Sequence, residues 1–313
     1  MLMKEMNEVA AEIGSRLAEE DMEGRIVPIS WVEEAIKEVR HSMEAYGDEP
    51  SFLNEVKDYF KFDYRKELPD ARSVILVAVP SPKVRLVLAY RGKEVTVYVP
   101  PTYLDFSKAK ERISKVLEEV LEPSALKFAF ASLPLKLLAV RSGLAQYGRN
   151  NITYAGRRGS FVRLMACLSD LPIEDRDWSE LKPMDRCEDC TACQRICPTG
   201  AIASDRFMVH AERCLTYLNE RERTPFPDWI SSGRHNALVG CLECQRVCPA
   251  NKGIWTKVED GGRFSEAETD ELLSAKDLQE LSPELKEKLK VKNLDSLFSV
   301  LSRNMGVLLE QVG

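Results

Sequence analysis

No stretch of this 313-residue chain approaches the ~18 consecutive apolar residues of a membrane-spanning helix, so the sequence holds no such span. The segment Met1–Gly24 is acidic and amphipathic rather than basic and then apolar, so it does not read as an export signal; the cytoplasm is the expected location. Basic charge is in deficit, with 50 acidic against 44 basic residues and a net charge of −6. That excludes a surface given over wholly to nucleic acid. There is no G-x-G-x-x-G fingerprint, no G-x-x-x-x-G-K-[ST] loop and no H-E-x-x-H helix, which removes the usual signatures of dinucleotide, nucleoside triphosphate and zinc-protease sites. Cysteine is almost missing from most of the chain, because eight of the nine lie between Cys187 and Cys248 and only Cys167 falls outside.

What is present is the composition of a globular protein, 44% apolar and 30% charged with 16 Gly and 16 Pro. At one domain per ~150 residues the length predicts two domains, or one with an appendage. The first 65 residues read as helical, with Trp31, Val32, Ile36, Val39 and Met43 recurring at 3–4-residue intervals. Ser73–Val79 is a β-branched run bounded by prolines and predicts a buried strand. Arg85–Tyr90 and Glu94–Val99 alternate about Arg91-Gly92-Lys93 and predict a hairpin. A helix follows over Ser107–Leu121 with Ser107 as its N-cap, then a strand over Lys127–Ala131, a helix over Leu135–Ser142 closed by Gly143, and a strand over Phe161–Leu168. The expected fold class is α+β. Its expected domains are an α/β cofactor or substrate domain at 1–180, a ferredoxin-like double 4Fe–4S domain at 181–256 and a helical C-terminal tail at 257–313. In that tail, Ser282-Pro283-Glu284 marks a helix start.

The cysteines carry the chemistry. Cys187-x2-Cys190-x2-Cys193-x3-Cys197-Pro198 has the spacing of a bacterial ferredoxin run, in which three thiolates hold one cubane and the fourth reaches another. Cys241-x2-Cys244-x3-Cys248-Pro249 repeats the pattern one cysteine short, and Cys214 lies 27 residues upstream to supply it. The assignment is Cys187, Cys190, Cys193 and Cys248 to one cluster, and Cys197, Cys214, Cys241 and Cys244 to the other. Two four-thiolate zinc sites are the alternative, although a zinc ribbon has no use for the third cysteine and the Cys-Pro that follows. Cys167, inside an apolar strand, reads as a small buried hydrophobe, or as a thiol facing a cofactor.

From Pro123 to Ser169 there is no Asp or Glu, while Lys127, Lys136, Arg141, Arg149, Arg157, Arg158 and Arg163 supply seven positive charges. At the overall acid frequency about seven acids are expected there. This is either an accidental surface patch or a site for an anionic ligand. Tyr147-Gly148-Arg149-Asn150-Asn151 within it has the turn and hydrogen-bonding residues of a binding loop.

Three stretches resemble the epoxyqueuosine reductase family, cobalamin-dependent iron–sulfur enzymes related to reductive dehalogenases. They are Leu68–Ile75, Gly143–Asn150 with Gly159-Ser160, and Asp185-Arg186-Cys187 through Cys248-Pro249-Ala250-Asn251. The resemblance covers about residues 68 to 255. It implies an N-terminal cobalamin-binding domain, with Arg141, Tyr147, Gly148, Arg149, Asn150, Asn151, Ser160 and Arg163 as cofactor contacts, fed by a double-cluster domain. The family places an acidic proton donor in an Asp-x2-Pro context, where this chain has Ala131-Ser132-Leu133-Pro134. Tyr147 and Tyr154, near Arg149, Arg157 and Arg158, are the expected substitutes, with a neighbouring cation lowering the phenol pKa; packing in the core or on the corrin is the alternative for both rings. The family also continues into helical repeats that help hold tRNA, for which the residues after Ser302–Met305 leave no room.

The leading expectation is a reductase in which two clusters serve a cobalamin acting on a small organic substrate, with an external donor such as a flavodoxin or ferredoxin. A cobalamin-free electron carrier is the second reading. Epoxyqueuosine reduction on tRNA is the third.

Overall fold

A computed structural model describes residues 2–46, 54, 58, 62–174, 178–222 and 224–312. The part of the expected N-terminal helical region at 47–53, 55–57 and 59–61 lies outside them. The strands, in chain order, are β1 (Glu23–Pro28), β2 (Ser73–Pro80), β3 (Lys83–Tyr90), β4 (Lys93–Val99), β5 (Phe128–Phe130), β6 (Gln146–Tyr147), β7 (Thr153–Tyr154), β8 (Val162–Ser169) and β9 (Val258–Phe264). The chain divides into two units, Met1–Pro80 with Phe106–Glu188, and Ser81–Asp105 with Asp189–Gly313.

The first unit is built on a sheet of order β1-β2-β8-β5 in which every pairing is antiparallel. Of the α/β and α+β arrangements expected for residues 1–180, the antiparallel pairings fit the α+β form. The continuous apolar run of β2 is explained by burial on both faces. Val74, Leu76 and Ala78 pack under the helices Ser30–Tyr46 and Leu135–Arg141. Ile75, Val77 and Val79 pack under Leu2–Glu19 and Phe106–Leu121. Each fully buried branched side chain contributes ~1.5–3 kcal/mol, so this strand anchors the unit. Cys167 of β8 is fully buried in the second of these cores, and burial pushes its thiol pKa up. The helix Phe106–Leu121 places Ser107 inside its first turn rather than at its cap. Gly143, with φ +72, follows the helix Leu135–Arg141 where a left-handed residue ends it.

In the second unit β3 and β4 form the expected hairpin, turning on Arg91 (φ +50) and Gly92 (φ +73). Two left-handed residues fit the strand twist of a two-residue hairpin. The hairpin groups with the C-terminal residues, not with 1–180, because β9 runs parallel to β3. Gly261 permits that approach, since a Cβ there would come within 2.6 Å of Val84. The helices Glu266–Ser274, Pro283–Val291 and Phe298–Glu310 complete this core through Leu272, Leu285, Leu289, Leu301 and Met305. Ser282 caps the middle helix by accepting from the Leu285 N–H. Among the described residues no helix is long and apolar enough to cross a membrane.

Candidate metal centre

Both ferredoxin runs fold into short helices followed by Cys-Pro. In the second unit Ala192–Ile196 ends at Cys197-Pro198, Glu243–Arg246 is soon followed by Cys248-Pro249, and the two helices pack on each other. None of the nine cysteines is in a disulfide. The Cys197 sulfur accepts from the Ala201 N–H at 3.3 Å. Cys214 stands at the head of the helix Leu215–Glu220, where the Thr216 and Tyr217 N–H groups face its sulfur. Cys241 accepts from Asn236 Nδ2 at 3.2 Å. Gly240, just before it, has φ +69 and lies where a Cβ would come 2.6 Å from Tyr103 Oη, so only glycine fits the approach to Cys241.

Electrostatics tie three of these thiols together. Burial pushes Cys214 up and Cys241 up to about 11, and each is raised further by neighbouring thiols: Cys197 acts on both, and Cys214 on Cys241. Partly buried thiols that raise one another's pKa are costly to ionise together unless a cation is shared among them. Among the described residues no three Cys, His, Asp or Glu side chains gather as a single-ion site. A cubane asks for wider spacing, with one thiolate per iron. The donor set, eight thiols at ferredoxin spacing, fits two such clusters.

In the first unit the predicted binding loop joins β6 and β7, an antiparallel pair. Gly148 N–H donates to Ile152 O, Asn151 N–H donates to Gly148 O, and Asn151 holds φ +57. A Cβ on Gly148 would lie 2.5 Å from Asn150 Oδ1 and 2.6 Å from the Tyr154 ring. Asn150, Tyr147, Tyr154 and Ser160 are all buried, and Asn150 Nδ2 donates to Tyr154 Oη at 3.0 Å. Arg149 donates to the carbonyls of Cys187 and Glu188, and Arg163 lies over the Phe106 ring.

The stretch without acids is not a stretch without acidic partners. Arg141 makes a two-pronged pair with Glu38 at 2.8 and 3.0 Å and stacks on Trp178. Arg157 and Arg158 pair with Asp21, and Arg158 also reaches Glu23. Lys136 Nζ donates to Asn151 O at 3.1 Å. The acids come from the turn after the first helix, from β1 and from the helix Ser30–Tyr46, far away in sequence, and no local pattern announced them. The expected lowering of the tyrosine pKa is reversed for Tyr147: burial pushes its phenol well up, Glu38 adds to this, and Arg141 offsets only part.

Residues 186–251 match the model of a 4Fe-4S double cluster binding domain. An epoxyqueuosine reductase of Staphylococcus aureus is 27% identical over 234 residues, 71% of this chain and 60% of that protein. The chain is similar to epoxyqueuosine reductases. It spans about half the length of the curated relatives it matches. An epoxyqueuosine reductase structure from Streptococcus thermophilus shares the fold, with a TM-score of 0.64 at 17% identity over 100% of this chain and 82% of the other. A second epoxyqueuosine reductase structure, with a tRNA stem loop, has a TM-score of 0.60 at 20% identity over 98% of this chain and 80% of its own. For the cobalamin that the resemblance implies, the loop would offer backbone groups and the Asn150 amide. Arg141 Nε, buried and without a hydrogen-bond acceptor, is a donor left over for a ligand carbonyl or phosphate. Arg157 and Arg158 are already engaged with carboxylates.

Proposed function

We propose that the chain is a cytoplasmic iron–sulfur reductase of a small organic substrate. Cys187, Cys190, Cys193 and Cys248 hold one 4Fe–4S cluster and Cys197, Cys214, Cys241 and Cys244 the other. Residues 181–256 form the electron-carrying segment, and residues 1–180 the cofactor and substrate part. The observation that carries this is the set of eight thiols, none in a disulfide, within the matched double-cluster segment. Arg141, the Gly148–Asn151 loop with Tyr147, and Ser160 and Arg163 hold a cobalamin. When bound, the clusters supply one-electron transfer and the cobalamin a low-valent cobalt. A flavodoxin- or ferredoxin-like donor is the external partner.

The proton is the chain's own task, since Ala131–Pro134 carries no carboxylate. Tyr154 Oη accepts from Asn150 Nδ2, which orients the phenol for the role of proton donor. Tyr147 keeps its proton more tightly than an ordinary tyrosine, because burial penalises its phenolate.

The fold shared with an epoxyqueuosine reductase solved with a tRNA stem loop supports a second reading, reduction on tRNA. Anaerobic reconstitution with cobalamin separates these readings from a bare electron carrier: about one corrinoid per chain should co-elute, and none, with both clusters intact, means an electron carrier. Binding of a tRNA stem loop that weakens steeply with salt would move the substrate to tRNA.

A further inference from the structure

We propose that Asn236 tunes the reduction potential of the cluster held by Cys197, Cys214, Cys241 and Cys244, raising it through an N–H···S hydrogen bond to the Cys241 sulfur. This rests on the reading of Cys241 as a cluster ligand. Asn236 Nδ2 lies 3.2 Å from Cys241 Sγ, and Oδ1 lies 2.8 Å from the Leu242 nitrogen. A backbone N–H can only donate, so the amide oxygen must face Leu242, and the NH2 end is thereby aimed at the sulfur. Its other N–H reaches Arg234 O at 3.3 Å.

The segment carrying Asn236 is braced on both sides by the C-terminal helix. Gln311 Nε2 donates to Ser232 O and His235 O at 2.7 and 3.1 Å, and Asn304 Nδ2 donates to Leu238 O at 2.9 Å. The donor is therefore fixed before any electron arrives. Reduction takes one electron from the external donor, which is oxidised by one, and Asn236 keeps both its amide protons. The added negative charge falls partly on the ligand sulfurs, so a donor at Cys241 stabilises the reduced cluster more than the oxidised one. Asn236 touches the cluster only through its ligand and is a positioning residue.

The test is an EPR-monitored redox titration of the anaerobically reconstituted full chain. Asn236→Ala removes the donor, and Asn236→Asp keeps an acceptor for the Leu242 N–H but sets a carboxylate against the sulfur. With iron content unchanged, the reduced-to-oxidised ratio of that cluster at fixed ambient potential should fall about tenfold in Asn236→Ala, a shift of about 59 mV for a one-electron couple. It should fall further in Asn236→Asp, while the other cluster stays put. An unchanged midpoint in both variants overturns the proposal. If both variants lose the cluster, wild-type chain labelled with 15N at the asparagine side-chain amide decides: a nitrogen coupling to the reduced cluster in pulsed EPR supports it, and no coupling overturns it. Retention of full iron by Cys241→Ala, which offers no ligand atom, would overturn the ligand reading instead.

Discussion

Tyr154 and His235 show how burial sets the chemistry of single residues. Removing the Tyr154 hydroxyl leaves Asn150 Nδ2 without its acceptor inside the first unit, at a cost of ~1–3 kcal/mol. Tyr154→Phe is therefore expected to lower the urea midpoint modestly, keep iron and corrinoid, and reduce turnover by ~10²-fold or more, the low end for loss of a positioned general acid. Tyr147→Phe is expected to leave turnover near the wild-type rate, because burial holds its phenol well above the usual tyrosine value. Turnover at the wild-type rate in Tyr154→Phe would mean that water or substrate supplies the proton. His235, stacked edge-on against Phe226 at 4.3 Å, has its pKa lowered to about 4, first by burial and then by Arg303. The unfolded chain therefore binds one more proton than the folded chain between the ordinary histidine value of about 6.5 and the folded value. Its contribution to stability is complete above the upper value and lost as pH falls toward the lower. Denaturant midpoints at pH 7, 6 and 5 should show a fall that is smaller in His235→Phe; equal falls would contradict this.

Among the elements, the helix Phe298–Glu310 does more than fill a core. Arg303 donates to the carbonyls of Leu218, Asn219, Arg221 and Thr224 and stacks on Phe226 at 4.3 Å, tying the Cys214 helix and the loop after it to the C-terminal segment. Arg303→Leu strands several acceptors and should cost on the order of 3 kcal/mol or more, read as a lowered unfolding midpoint with faster cluster loss. A midpoint within error of wild type would show those contacts to be idle. Nothing in the sequence announced this role, because a lone arginine in an amphipathic helix reads as a solvated charge. The strands divide in the same way. The run of β2 was legible because both of its faces are buried, and the hairpin because Arg91-Gly92 is a turn signal. β9 was not, since Val258–Phe264 is charged and contains Gly261-Gly262, which reads as a break; only the close packing on Val84 explains the glycine. β1, with Glu23, Gly24 and Arg25 at its start, likewise shows little alternation and owes its place to pairing with β2.

For the whole molecule, ligand spacing is local information and charge balance is not. The eight clustered cysteines could be read directly, because a cubane fixes how far apart in sequence its thiolates stand. The charge balance of the basic stretch was not legible, because Asp21, Glu23 and Glu38 meet Arg141, Arg157 and Arg158 only once the chain has folded. The same folding draws Cys197 and Cys214 into the electrostatic surroundings of Cys241, in keeping with a ligand exchange between the two runs. Two cubanes held by those eight thiolates are the central claim. Iron, acid-labile sulfide and zinc measured on anaerobically purified chain test it most directly. Two bound clusters predict about eight iron and eight sulfide per chain with no stoichiometric zinc. About two zinc per chain with no iron would contradict it.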